Sequence, residues 1–453
     1  MEIFDFTTNR LLLCGLGSTP IDCGIEVQKD LFTPRLGIAY RASDSLVFRA
    51  GFSRNPQNDN MIGGRMRNFP VNVQITDQAT AVGSNAFTPV GSFSEGYRPL
   101  PILDLASGVV EVPAGVAITT NEMGRYERGV INTFNVSAQK VLPHNITAQI
   151  AYVGNRQDGL VRNVNLNYSQ IGTGNAGLPF NQPGLAGGFR TTQGVNVVRP
   201  LGKVHYDSLQ VSVNRRMADG LAITSAYTFA KATDWWAGNI LIPEYWHLNK
   251  GTQGGNTPHK LDLSASYELP FGVGKRFANN EGMVAKIAGG WQVNGYFTAF
   301  SGTPFSISAS NASLGANSGQ RADQVKEEVE ILGGIGATNP YFDVTAFKPV
   351  TEARFGTAGF NTLRGPGYAN LDASVFRTFA VSGAVNLQFR LEVFNLTNTA
   401  HFPNPSGTNV SNVSFNPDGS IASLNGFGSI TGTNNVGREY DERYLRLGVR
   451  LSF

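Results

Sequence analysis

Alternation with a period of two, sustained over about ten residues at a time, limits this chain more than any other feature. In VNLQFRLEVF, Val385, Leu387, Phe389, Leu391 and Val393 share one face, and Asn386, Gln388, Arg390 and Glu392 share the other. HKLDLSASYEL sets Leu261, Leu263, Ala265, Tyr267 and Leu269 against Lys260, Asp262, Ser264, Ser266 and Glu268. Successive side chains of a strand point to opposite faces, so both are half-apolar strands. RLGIAYR, SLVFRAGFS, VINTFNVSAQ, NITAQIAYV, YDSLQVSVNRR, LAITSAYTFA, WQVNGYFTAF, NLDASVFRTF and RYLRLGVRLSF repeat the pattern, for about eleven strands in all. Many are near the roughly 9–11 residues that a tilted strand needs to cross a bilayer.

The period does not say which face is wet. A soluble sandwich buries its apolar face, whereas a membrane barrel turns that face to lipid and keeps the polar one inside. Loop lengths separate the two. Connections alternate between short (ASDS, LPHN, RMADG, AVSG), one medium (LPFGVGKRF), and long (54–128, 155–203, 232–257, 303–366 and 401–441). That sorting by end is the habit of outer-membrane barrels, with short periplasmic turns and long extracellular loops. The apolar phase is nearly free of charge. Its exceptions, Lys140 and Arg377, lie close to the short-turn ends, where a long side chain is expected to snorkel into the headgroups.

Composition agrees. Of 453 residues only 15% are charged, while 53 glycines and 22 prolines supply turn chemistry for many strands. A net charge of +3 is too small for this length to imply a nucleic-acid partner. No apolar run approaches the roughly 18 residues of a spanning helix. Glu2 and Asp5 occupy the region that a secretory signal keeps positive, and LLLCGLG is short for its apolar core. Leu13 stands where a lipoprotein signal has a small residue. The expectation is a chain without its own export signal. Cys14 and Cys23, the two cysteines, can close a small disulfide outside the cytoplasm.

The end of the chain, RLGVRLSF, places Arg446, Gly448, Leu451 and the terminal Phe453 in strand register. It resembles the C-terminal assembly signal of bacterial outer-membrane barrels, read by their insertion machinery as an edge strand open to β-augmentation. Longer passages are similar to TonB-dependent receptors, in particular the Oar-like group. These are YELPFGVGKRF, WQVNGYFTAFSGTPF, ADQVKEEVEILGG, NPYFDVTAF, ARFGTAGFNTLRGPGYANLDASVFRTF and FRLEVFNLTNTAHF, in order. The resemblance covers nearly the whole chain and is most specific in its second half.

It implies an outer-membrane transporter with a barrel of about twenty-two strands, an N-terminal plug, and a segment that pairs with TonB. This chain departs from the pattern: plug and TonB-pairing segment are missing and about half the strands are present. The expectation is therefore the C-terminal part of such a receptor, an antiparallel up-and-down transmembrane β-barrel portion over 34–453. Residues 1–33 are then an extracellular remnant, with both cysteines in an oxidising setting. Plug and TonB would be partners only of the full-length protein. Outer-membrane lipid and lipopolysaccharide, and the barrel-assembly machinery acting on the last strand, are the partners expected here. The location is the outer membrane of a Gram-negative-type bacterium.

No catalytic constellation, cofactor motif or metal site emerges. His144, His205, His247, His259 and His401 are scattered, and His259 beside Asp262 reads as a solvated strand-end pair. VGKR lacks the glycine and hydroxyl residue of a phosphate loop. GGIG lacks the βαβ setting of a dinucleotide site. DQVKEEVE is expected to be a hydrated loop with at most a turn or two of helix. The candidate substrate contacts are Trp235, Trp236, Tyr245 and Trp246 in a long loop, where aromatic faces can stack on sugars or an aromatic chelate. The bland reading, an aromatic girdle at the outer leaflet, is favoured about two to one. Arg35, Arg49, Arg390, Arg446, Arg450, Asp262, Glu268, Asp372 and Glu392 fall on the polar phase as a mixed-charge inner wall. The leading function is active transport of a large or scarce solute by the intact receptor. The alternatives are a plug-less porin-like channel or adhesin and, remotely, an outer-membrane enzyme.

Overall fold

A computed structural model describes residues 2–57, 105–280, 282–383, 385–418, 420–434 and 441–453, with single positions 94, 96 and 436. Positions 58–93, the middle of the long connection 54–128, lie outside the described residues, as do 437–440 of the last connection.

Eleven strands follow one another in a single antiparallel sheet. They are β1 (Arg35–Ser43), β2 (Leu46–Pro56), β3 (Val130–Leu142), β4 (Ile146–Asn165), β5 (Val195–Ala218) and β6 (Leu221–Asp234). The series continues with β7 (His259–Glu268), β8 (Trp291–Phe300), β9 (Tyr368–Ser382), β10 (Val385–Phe394) and β11 (Tyr444–Ser452). Two short strands, Ile118–Thr120 and Gly251–Thr252, pair at the side of this path with β5 and β6. Every alternating segment of the sequence lies in this sheet. Among the described residues β1 and β11 are its two edges and do not pair with each other, so the barrel is not closed.

Tight turns join the strands on one side. His144 and Asn145 both take positive φ, as do Asp219 and Gly220. Two successive left-handed residues match the right-handed twist of the strands they connect. The medium connection after β7 carries the short helix α1 (Met283–Ala288).

β4 and β5 run to 20 and 24 residues, well past the expected ends. The long connection 155–203 therefore shrinks to 166–194. The alternation stops at Gly154, and the ladder itself slips around Asp158, Leu160 and Val161; beyond it Val164, Val195 and Val197 are buried. Gly159, at φ +72, approaches the Cα of Gly129 so closely that a Cβ would sit 3.0 Å from it.

Among the described residues, the apolar face of the sheet has no second layer over it apart from α1 at its short-turn end. Leu447 is 83% exposed and Val449 65%. Arg390 stacks over Phe376, and Arg446 pairs with Glu392 at 2.6 Å. The hydrophobic cores lie elsewhere, in the long connections. The largest gathers Phe305, Ile307, Phe342, Phe347, Val410 and Phe427 from two connections. A second packs Phe4 and Leu11 against Val110, Ile118 and Phe189.

One expectation is corrected. Arg377 does not snorkel: it is 8% exposed, and its guanidinium donates to the carbonyl oxygens of Lys286 and Ile287 in α1. The run at 323–330 is a largely exposed loop without helix, within what the sequence led one to expect. Its first two residues, Asp323 and Gln324, pair as a strand with Phe347 and Lys348, and Val329 packs against the main loop core.

Candidate functional site

The polar phase of the sheet carries side-chain hydrogen bonds between and along its strands. Opposed residues on neighbouring strands bring their Cβ atoms within about 5 Å, so short polar side chains reach each other across the ladder. Between β7 and β8, the Asp262 carboxylate accepts from the hydroxyls of Thr298 (2.8 Å) and Tyr296 (3.0 Å). Next along, Ser266 donates to Asn294 at 2.7 Å, and Asn294 donates to Ser374 of β9 at 3.3 Å. Arg49 donates to Gln139 at 2.6 Å, and Arg390 donates to Gln388 at 2.6 Å. Donors and acceptors are matched in pairs rather than aimed at one point. Among the described residues, no group of three or more His, Cys, Asp or Glu is placed to hold a metal ion. His259 and Asp262 stand on opposite faces; the His259 ring meets the Tyr227 hydroxyl instead, at 2.8 Å.

The four loop aromatics do not form one platform. Trp236 and Trp246 pack as a pair, ring centres 5.0 Å apart, and the Trp246 indole donates to the Leu241 carbonyl oxygen. Tyr245 turns to Phe355 in a buried cluster with Ile240, Ile242 and Leu314. Trp235 lies 4.5 Å from the His205 ring, with the ammonium groups of Lys250 and Lys203 4.8 and 5.8 Å from its centre.

A junction that the sequence reading passed over joins the wall to its last loop. Asn395, fully buried at φ +48, accepts from the amide of Thr399 and donates to the carbonyl oxygens of Thr399 and Asp441. Its own amide donates to Asp372 at 2.7 Å. Asparagine tolerates the left-handed region better than most side chains, which suits it to this corner. The His401 ring faces Asp441 through Nδ1 (2.6 Å) and the Ala369 carbonyl oxygen through Nε2 (2.9 Å), and it stacks on Tyr368. Beside it an open hollow of about 470 Å³ is lined by His401, Tyr368, His259 and Tyr227. Only the FNLTN stretch carried a local signal, its turn-forming asparagines. Asp441 is forty residues from His401 and could not be matched from spacing.

In the loop layer, donation from Arg354 holds the Asp323 carboxyl below its ordinary value. Lys326 and then Thr345 do the same for Asp343. Burial raises the Tyr341 hydroxyl.

Cys14 and Cys23 are joined by a disulfide, Cα atoms 4.9 Å apart. Arg446, Gly448 and Leu451 lie on β11, and Phe453, just beyond it, is 94% exposed.

Against known proteins, the model of the outer membrane beta barrel domain matches residues 1–443. No curated protein matches. Among solved structures, the ferric enterobactin receptor PfeA of Pseudomonas aeruginosa, in a mutant form, is 9% identical with a TM-score of 0.41. Its match covers 92% of this chain and 39% of that one. The outer membrane transporter YddB of Escherichia coli gives 10% and 0.40, covering 90% and 38%. The ferric-catecholate import receptor Fiu of E. coli gives 10% and 0.39, covering 97% and 40%. The chain thus spans about two fifths of the length of these structures.

Proposed function

We infer the function from one premise: the chain belongs to the outer membrane beta barrel domain family, and is an outer-membrane protein. It is the C-terminal barrel portion, over 34–453, of an Oar-like TonB-dependent receptor that in its intact form imports a large or scarce solute. One observation carries this reading: a single sheet whose polar face is a ladder of cross-strand hydrogen bonds while its apolar face stands uncovered. A wall of that kind suits contact with water and a plug on one side and hydrocarbon on the other. The eleven-strand open sheet, half of the strand number that the resemblance implies, supports a portion rather than a whole barrel.

Trp235, Trp236, Tyr245 and Trp246 are the aromatic groups this reading assigns to solute contact, with Trp235 and its flanking lysines suited to an anionic ligand. Arg446, Gly448, Leu451 and Phe453 would present the edge strand to the assembly machinery, and outer-leaflet lipopolysaccharide would meet the wall below the loops.

The test begins with the DNA upstream of codon 1, where an in-frame plug region is expected. Deleting the complete gene should then abolish energy-dependent uptake of one large solute. Passive conductance of small ions through the purified protein, with no uptake defect in the deletion strain, would overturn the receptor reading in favour of a porin-like channel.

A further inference from the structure

The connection between β7 and β8 departs from the other short-side turns. It places α1 against the apolar face of the sheet rather than beyond its end. Trp291 and Arg377 are opposed in the ladder between β8 and β9, on the apolar phase. The Trp291 indole donates to the Ile287 carbonyl oxygen at 3.0 Å, and Arg377 donates to Lys286 and Ile287. Ala285 is the side chain that α1 buries. On the opposite stripe Met283, Val284 and Ile287 are 74%, 66% and 63% exposed.

That arrangement is poorly made for water. The last carbonyl groups of a helix have no partner within it, and in water they need none from the protein. Here two of the last three are occupied by a tryptophan and an arginine. The Arg377 charge is itself enclosed by the rings of Trp291 and Phe379, with centres 5.4 and 4.2 Å away. Satisfying every polar group internally is the requirement of hydrocarbon, not of solvent. The exposed stripe continues the uncovered apolar wall, and the exposed cations Lys286 and Arg276 flank it.

We propose that α1 and the turn before it form an in-plane membrane anchor, with Met283, Val284 and Ile287 set into phospholipid at the short-turn rim. Lys286 and Arg276 then meet the lipid phosphates. A basic-flanked amphipathic helix lies at the boundary of headgroups and acyl chains, and Arg377 locks this one to the wall. The proposal rests on the membrane reading of the wall, so its test contains a control for that reading.

The complete protein is prepared with one exchange at a time: Val284→Cys, Leu447→Cys on the wall, or Leu332→Cys on an exposed loop. Each is labelled with an environment-sensitive maleimide fluorophore and reconstituted in phosphatidylethanolamine and phosphatidylglycerol vesicles. Nitroxide lipids with shallow labels, and aqueous iodide, serve as quenchers. The label at 284 should be quenched several-fold more by the shallow nitroxide than the label at 332, and several-fold less by iodide. Equal iodide quenching at 284 and 332, with 447 still quenched by lipid, would overturn the anchor alone. Iodide quenching at all three would overturn the membrane reading itself.

Discussion

The wall and the loop layer use the same apolar residue types in opposite directions. On β11, Leu445, Leu447, Val449 and Leu451 all point outward and stay exposed. A few strands away along the chain, Phe342, Phe347 and Phe427 are almost wholly enclosed by one another and by Val410 and Ile430. The loop layer is therefore folded by the ordinary hydrophobic effect, against water. The wall gains nothing from that effect in hydrocarbon, where ladder hydrogen bonds hold each strand between β1 and β11 to a neighbour on both sides. One chain thus uses apolar side chains in two ways, outward on the wall and inward in the long connections.

The contrast can be broken from either side. Phe342→Ala removes the ring at the centre of the main loop core, with Phe305, Phe347 and Phe427 around it. It should cost the loop layer about 3–5 kcal/mol. Hydrogen exchange should then rise over 303–366 with the β7–β10 ladder unchanged. Equal loosening of the strands would mean that the two regions are one cooperative unit.

Val375→Arg tests the other medium. Val375 lies on the apolar phase at mid-strand, opposite Leu391 and Val293. A cation there should cost about 2–4 kcal/mol in a bilayer and lower the yield of heat-modifiable, membrane-inserted protein. A neutral result would say that this face meets water.

Asn395→Ala strikes the seam. Its buried side chain serves the backbone of Thr399 and Asp441, which would lose those partners. The expected cost is about 1–3 kcal/mol. Exchange should rise at 395–401 before it rises in either neighbouring region.

Acid should give the smallest effect, confined to the loops. Asp323 and Asp343 have carboxyls depressed below their ordinary value of 3.8. Their contribution is complete above that value and is lost as pH falls through the depressed pKa of each. Between pH 5 and pH 4 exchange over 323–357 should stay flat, and below pH 3.8 it should rise. Partly exposed pairs of this kind contribute about 0–1 kcal/mol, so the rise should be small.

The strands were legible because a membrane wall has the simplest code a strand can carry, one face for each medium. Leu261 to Leu269 and Val385 to Val393 needed no partner to be read. The loop cores were not legible. Phe305, Phe342 and Phe427 meet from two different connections, and nothing local distinguishes them from exposed loop aromatics. For the same reason Trp235, Trp236, Tyr245 and Trp246, neighbours in sequence, are divided among separate surroundings. Arg377 looked like a membrane exception to be tolerated by its depth, and only α1 folded back on the wall shows what its charge is for.

The amino-acid order alone determined the strand count and the alternation of short and long connections, since a period of two marks each strand and leaves the connections as what lies between. That sorting of loop lengths, not the period, pointed to the face turned to lipid. Tertiary structure decided how far β4 and β5 extend, which loop residues pack together, and how His401, Asp441 and Asn395 close the last corner. Those outcomes depend on contacts between distant segments, and a periodic pattern carries no information about which distant segment will arrive.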